Sequence, residues 1–348
     1  MLTASDSFLS LAIWAELSIV AAVVACCMAI IVMRINTLRQ QRRIARQKPY
    51  WREALAVGIH GEMPSLHVAR QDRWHFMKLW CQSHDSVRGE AREALKNLAR
   101  SLGMQKWAID FASKHRLRDR LLGIIALGCI GESKGIERLK ALVNEPNSVL
   151  SLTAAEAYAR IVPTEALPIV LHAASRREDW PMARLMEILA EAGPTMAKDP
   201  LLAAVRTNRG RHRQRLVPLL ACLESRDTMT MVRKMLSNQD DPEILAAALP
   251  LAHPEDLPYV RAAANHSAWF VRAKACRVLG EYGDATDTKL LQHLLGDREW
   301  WVRYRAAESL LKIPGISRAH VRQLATSHPD PFARDMLKMW LDSPGDRE

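Results

Sequence analysis

The chain has 348 residues, with 49 Lys+Arg against 38 Asp+Glu and a formal net charge of +11. This length suits two or three ordinary domains or one long repeat array, and the basic excess favours anionic partners such as lipid head groups, nucleic acid or acidic proteins. The six cysteines form no CxxC pair and have no zinc-type spacing, which argues against a disulfide framework and favours a reducing compartment.

The first predicted element is a transmembrane helix over residues 9–33, after a short extracytoplasmic N-terminus at 1–8. No charge lies between Leu17 and Met33, and Glu16 is the only charged residue between Leu9 and Met33. A helix of about 20 apolar residues crosses a hydrocarbon core of ~30 Å, and this run is too long for the apolar part of a signal peptide. The segment is therefore predicted to be a permanent anchor.

One side of this anchor carries small residues. At 100° per residue, Ser18, Ala22, Ala25 and Ala29 share one side of the helix and Glu16 lies on the opposite side. A stripe of small residues is a packing surface between membrane helices, because it lets two backbones approach closely. Glu16 is expected either to reach the outer head groups or to meet a second partner.

A basic juxtamembrane linker or helix is predicted over residues 34–54. The positive-inside rule then puts the anchor in the inner membrane, single-pass, with the N-terminus outside and the rest of the chain in the cytoplasm. The same cations are expected to attract anionic lipid. They are Arg34, Arg39, Arg42, Arg43, Arg46 and Lys48.

The remainder, residues 55–342 before a short tail at 343–348, is predicted to be an all-α solenoid of about eight or nine helical hairpins. The segment 269-WFVRAKACRVLGEYGD-284 recurs 31 residues later as 300-WWVRYRAAESLLKIPG-315, and Phe332-Ala333-Arg334 follows after the same interval. A further copy is 85-DSVRGEAREALKNLAR-100. Self-similarity at a period of 20–50 residues is the signature of a repeat array.

These motifs resemble the HEAT repeat in its short, phycobilin-lyase-like form. The resemblance implies that each unit is a pair of antiparallel helices whose second helix begins with D-x-x-V-R-x-x-A-x-x-A-L, and that neighbouring pairs stack to bury their apolar faces. It also implies that the repeat arginines, such as Arg272 and Arg303, have a structural role, pairing with an acidic residue such as Asp85 or Asp297.

Aromatic residues precede the Val-Arg position in successive repeats, which places them on one face of a solenoid. Trp is enriched in interface hot spots, so these residues are predicted to bind a partner, the alternative being that they cap the core between repeats. They are Trp180, Trp269, Phe270, Trp300, Trp301 and Phe332.

A second basic patch lies in 206-RTNRGRHRQR-215, which has no acidic residue. It is expected either to contact phosphate, lipid or an acidic partner, or to be a solvated start of a helix. Its arginines are Arg206, Arg209, Arg211, Arg213 and Arg215.

No catalytic or metal-binding motif is found, and no cofactor is expected. HExxH and GxxxxGK[ST] are absent from the sequence, and so is the His-Glu dipeptide that some HEAT-like oxygenases use to hold iron; 131-GESKG-135 has the spacing of GxSxG but lies in a repeat turn. The chain is therefore predicted not to be an enzyme, and a bilin-lyase activity has no supporting residue.

The leading hypothesis is a membrane-anchored scaffold whose cytoplasmic repeats bind a protein partner. The layout resembles bacterial single-pass HEAT proteins, and that resemblance implies a membrane glycosyltransferase of envelope or exopolysaccharide synthesis as the partner. The alternative is a nucleic-acid-binding or repair solenoid of the DNA-glycosylase kind, which the net charge and the ten tryptophans fit and the membrane anchor does not. Nucleic acid is therefore the less favoured partner.

Overall fold

A computed structural model describes residues 3–62 and 64–342, with side chains described from Trp14 onward except Ala15 and Met63. The chain divides into two compact units, residues 1–135 and 136–348. Within the described residues every regular element is helical, and the predicted all-α solenoid fold is confirmed. The side chains of the predicted N-terminal segment 1–8 are not among those described, and the predicted tail 343–348 lies outside the described residues.

The described part of the first unit contains five α-helices. The first is much longer than the rest, because the apolar run and the basic segment form one continuous helix with Pro49 inside it. The helices are α1 (Thr3–Ile59), α2 (Arg73–Ser86), α3 (Glu90–Ser101), α4 (Met104–Ala112) and α5 (Leu117–Ile130).

The described part of the second unit contains fourteen α-helices. Its α-helices are α6 (Ile136–Val143), α7 (Ser148–Ile161), α8 (Pro163–Arg176), α9 (Met182–Ala192), α10 (Pro194–Thr207), α11 (Gly210–Leu216), α12 (Arg226–Ser237), α13 (Pro242–Ala248), α14 (Leu257–Ala263), α15 (Trp269–Tyr282), α16 (Thr288–Leu294), α17 (Trp300–Leu310), α18 (Arg318–Ser327) and α19 (Pro331–Leu341). Short 3₁₀ turns occur at several of the junctions.

The repeat period has a direct structural cause. Val271 and Leu279 of α15 are fully buried, and so are Val302 and Leu310 at the same positions of α17. These two helices pack closely, and the Ser309 Oγ donates a 2.7 Å hydrogen bond to the Cys276 carbonyl across the contact. No single hairpin can bury its apolar face, so each contributes a layer to its neighbour.

The basic segment is not separate from the folded unit. Trp51 is buried against Phe76 of α2, with ring centroids 5.9 Å apart, and Leu55 is also buried. Helix α1 continues past residue 54 without a break, so its last turns belong to the core of the first unit. The boundary predicted at residue 54 therefore does not coincide with the end of a helix.

The copy of the repeat motif at residue 85 is arranged differently from the others. Asp85 and Ser86 complete α2, and α3 begins only at Glu90, after Gly89 with φ of 60°. A positive φ strains every residue with a Cβ, so glycine sets the break there. Asp85 therefore lies at the end of α2 and not at the start of the motif helix.

Candidate partner-binding surfaces

An exposed aromatic ridge lies at the starts of three successive motif helices in the second unit. Trp269, Trp300 and Phe332 stand at the first or second position of α15, α17 and α19, and they are 40%, 44% and 64% exposed. Trp301 is 52% exposed. We define the aromatic ridge as Trp269, Trp300, Trp301, Tyr304 and Phe332.

Aromatic contacts order the ridge. Trp300 packs edge-on against Trp301 and stacks on Tyr304, with centroid distances of 4.8 and 5.1 Å. Tyr304 in turn packs on Trp340 of α19 at 5.0 Å, and the Arg303 guanidinium lies 5.3 Å from the Phe332 ring. Rings held by neighbouring rings lose little further freedom on binding, which favours their use in an interface.

Tyr304 and Trp340 were not among the predicted residues. Tyr304 follows Trp300 by four positions, a spacing that places two side chains on the same face of a helix. The sequence could therefore have predicted that Tyr304 belongs to the ridge. Trp340 had none, because its approach depends on how α17 and α19 pack.

The repeat arginines fix the turns that precede the ridge residues. Arg272 pairs bidentately with Asp297 at 2.7 and 2.8 Å and donates to the carbonyls of His266 and Ser267. Arg303 and Arg334 each donate to two carbonyls of the loop before their own helix. The prediction of a structural role in partnership with Asp297 is therefore confirmed for Arg272.

Two of the predicted aromatic residues are less exposed than the four exposed side chains of the ridge. Trp180 is only 1% exposed and its Nε1 donates a 3.0 Å hydrogen bond to the Ser151 Oγ. The prediction that it lies on the binding face was wrong, because Trp180 precedes α9 on the side that packs into the core. Phe270 is half-buried, with its ring edge-on to Trp269 at 5.9 Å.

A basic cleft of about 770 Å³ lies in the second unit. Its lining contains four Arg and Lys side chains and one carboxylate, that of Glu178, so an anion is favoured inside it. We define the basic cleft by the cations Arg176, Arg211, Arg215 and Lys274.

Two cations of the basic cleft are poorly solvated because they are partly buried. Desolvation lowers the pKa of the Arg215 guanidinium, and the same effect lowers the pKa of the Lys274 ammonium. Backbone carbonyls compensate in part: Arg215 donates to Ala174 and Trp180, and Lys274 donates to Ala246 at 2.8 Å. An anion in the cleft would restore the stability of both charged forms.

The structure divides the predicted basic patch. Arg211 and Arg215 line the cleft, whereas Arg206 and Arg209 are exposed outside its lining and Arg213 is half-buried. Arg176 and Lys274 were not predicted as members of a basic surface. They come from α8 and α15, so only the packing of distant repeats brings them to the cleft.

The juxtamembrane cations are not equivalent either. Arg43 is half-buried and pairs with the nearly buried carboxylate of Asp72 at 2.7 Å, which ties α1 to the turn before α2. Its predicted lipid-facing role is corrected to a structural one. The other five, Arg34, Arg39, Arg42, Arg46 and Lys48, are exposed.

The apolar part of α1 has no cover within the described chain. From Glu16 onward the helix is long and apolar enough to cross a membrane, and none of its apolar window is buried. The predicted packing residues Ser18, Ala22, Ala25 and Ala29 are exposed, as is Glu16.

A polar cluster that the sequence analysis missed lies in the core of the first unit. Cys81, His84 and Asp85 are on α2, and Cys129 is on α5. Hydrogen bonds from the Cys81 thiol and from His84 lower the pKa of the Cys129 thiol to about 6, against the opposing effect of burial. Their spacing in sequence carries no signal, because Cys129 is 44 residues from Asp85.

A comparison with protein-family models agrees with the helical fold. A family model described as HEAT repeats matches residues 249–312, the stretch that contains α15 and α17. A crystal structure of an engineered protein is similar with 14% identity and a TM-score of 0.37, covering 82% of this chain and 87% of that chain. The search of curated proteins found no match. Residues 249–312 match HEAT repeats, and the described chain is an all-α array of helices.

Proposed function

We propose that this protein is a membrane-anchored scaffold that binds a protein partner through the aromatic ridge. The supporting observation is the exposure of Trp269, Trp300, Trp301 and Phe332 within the first two positions of three successive motif helices. Exposed Trp clusters on a rigid support are typical of interface hot spots, and HEAT-like repeats serve widely as interaction surfaces. A non-catalytic role agrees with this arrangement.

Helix α1 supplies the anchor in this proposal. Its apolar part would cross the inner membrane with the N-terminus outside, and the exposed cations that follow would face anionic head groups on the cytoplasmic side. The first unit begins within the same helix, since Trp51 and Leu55 are in its core. The repeats would therefore start close to the membrane surface.

The partner that we propose is a membrane protein, specifically a polysaccharide-synthesising glycosyltransferase. The resemblance to bacterial single-pass HEAT proteins supports this choice. The basic cleft adds a second contact of suitable chemistry, because four cations around one carboxylate favour an acidic segment of the partner.

The ridge is tested with the double variant Trp300→Ala, Trp301→Ala in the full-length protein. Loss of a single hot-spot side chain that contributes about 2 kcal/mol weakens binding about 30-fold, so the double variant should weaken partner binding by at least this factor. The measurement is affinity purification from detergent-solubilised membranes, with quantification of the co-purified membrane protein.

Val149→Ala is the matched control, because Val149 is a large apolar residue of the same unit that is 52% exposed and lies outside the ridge. It should leave recovery unchanged. Equal recovery with the ridge variant and the wild type would refute the role of the ridge, and absence of any stable membrane partner would refute the scaffold.

The anchor is tested separately. Ala22→Leu with Ala25→Leu fills the small-residue stripe and should weaken assembly with a partner helix, because the backbones are then kept apart. Glu16→Gln, on the opposite side of α1, should have the smaller effect. Co-purification of the partner compares the two, and the reverse order would place Glu16 at the interface.

A further inference from the structure

We propose that Cys81, His84, Asp85 and Cys129 form a zinc-binding site that joins α2 to α5. This inference does not depend on the scaffold function or on any partner. Among the described residues, the donor atoms of His84, Asp85 and Cys129 all lie within 4.8 Å of one another.

Two of the distances between donor atoms are close to those between neighbouring ligands of a tetrahedral zinc ion. His84 Nδ1 is 3.4 Å from Asp85 Oδ1, and Cys129 Sγ is 3.9 Å from the same oxygen. Bonds of about 2.0–2.2 Å to nitrogen and oxygen and about 2.3 Å to sulfur place neighbouring tetrahedral ligands roughly 3.3–3.6 Å apart. The two observed separations lie within a few tenths of an ångström of this range.

The geometry of α2 presents its three donors on one face. Cys81, His84 and Asp85 stand at positions i, i+3 and i+4 of this helix, so their side chains point the same way. Cys129 reaches them from the last turn of α5, which packs against α2. Cys81 lies one turn before His84 and Asp85 on α2, and in this proposal it supplies the fourth ligand.

The surroundings suit a structural metal ion. Cys81, His84 and Cys129 are buried, and Trp80 packs beside the His84 ring at 5.3 Å. Only Asp85 is exposed, so it marks the side from which the ion enters.

The ligand set selects the metal. Two thiolates, one imidazole and one carboxylate suit a borderline-soft ion in tetrahedral geometry, and Zn²⁺ has this preference. On binding, each thiol loses its proton to solvent and its sulfur forms the bond to zinc, so no electron is transferred and no oxidant is needed.

The test uses the full-length protein in detergent, freed of metal with a chelator and then titrated with Zn²⁺ alone. We expect one equivalent of tightly bound zinc per chain. Substitution with Co²⁺ should give the absorption of a tetrahedral ion with a thiolate-to-metal charge-transfer band. Cys129→Ser removes one of the two thiolates, so it should weaken that band. It should also weaken zinc binding by more than the 10- to 100-fold that is lost when a residue hydrogen-bonded to a metal ligand is removed.

Two further variants keep the test sharp. Asp85→Asn changes an exposed residue and should preserve folding while it weakens zinc binding, so the proposal remains testable where Cys129→Ser does not fold. Cys276→Ser is the control, because Cys276 is an equally buried cysteine of α15 outside this cluster. It should bind zinc as the wild type does.

Three outcomes would overturn the proposal. The first is less than one equivalent of zinc in the wild type, and the second is equal zinc binding by the wild type and the Asp85→Asn and Cys129→Ser variants. The third is a Cys81–Cys129 disulfide in protein purified under reducing conditions, detected by thiol counting and mass spectrometry. Unchanged zinc affinity in Cys81→Ser would refute the assignment of the fourth ligand.

Discussion

Replacement of Asp297 with alanine is expected to destabilise the second unit by about 3–5 kcal/mol. The carboxylate accepts two hydrogen bonds from Arg272 and one from the Glu299 amide, and both side chains of the ion pair are only 9% exposed. Removal of one partner leaves the other charge buried and uncompensated, which costs this much in comparable pairs. Chemical denaturation of the full-length protein in detergent measures the loss.

The control for this variant is Asp335→Ala. Asp335 is 77% exposed and its contact with Lys338 is 4.0 Å long, so its loss should cost less than about 1 kcal/mol. If the two variants unfold at the same denaturant concentration, Asp297 contributes nothing beyond an ordinary surface charge.

The same pair predicts a dependence on pH. Burial opposes the ionisation of Asp297, but the hydrogen bonds from Arg272 and Glu299 outweigh it and lower the pKa of Asp297. A carboxylate with a lowered folded-state pKa stabilises fully above the unfolded value of about 3.9 and loses this contribution as the pH falls through the folded value. The difference in stability between wild type and Asp297→Ala should therefore be constant from about pH 5 to 8 and shrink below pH 4.

Gly123→Ala is the second change with a large expected effect, because α4 and α5 touch at this glycine. A Cβ added to Gly123 would lie 2.3 Å from the Ala112 nitrogen and 2.6 Å from the Ala108 oxygen, and backbone atoms cannot move aside as a side chain can. Overpacking of a core costs about 1–3 kcal/mol, and a clash with the backbone belongs at the upper end. Thermal unfolding monitored by circular dichroism measures it.

Gly296→Ala provides the matched comparison, since the nearest atoms to its added Cβ are 3.6 Å away. It should have little effect on stability. A melting temperature for Gly123→Ala equal to that of Gly296→Ala would show that α4 and α5 separate at no cost.

The repeat fold was predictable because its cause is local and periodic. Each motif helix must bury one apolar stripe against the previous repeat, so Val271 and Leu279 recur as Val302 and Leu310 at an interval of 31 residues. The same logic placed Trp269, Trp300 and Phe332 on one face. These inferences need only the helical period and the position within the repeat.

The errors came from contacts between distant parts of the chain. Trp180 stands near the same repeat position as Trp269, but it is buried beside Ser151 from the preceding repeat. In the sequence, Arg43 resembles the basic residues around it. In the structure, it forms an ion pair with Asp72. The local sequence does not distinguish Trp180 from the other aromatic residues at motif starts, or Arg43 from the other juxtamembrane cations. Neither error was therefore visible before the fold was known.

By itself, the sequence determined that the chain has an apolar N-terminal helix and an array of helical repeats with aromatic residues at their motif starts. Hydrophobic periodicity and length carry this information, because they decide which face of each helix must leave water. The tertiary structure decided which cations line the basic cleft, that α1 continues into the folded unit, and that Cys129 meets His84 and Asp85. Those features depend on side chains that come from different helices, and only the packing of one helix on another brings such side chains within a few ångströms.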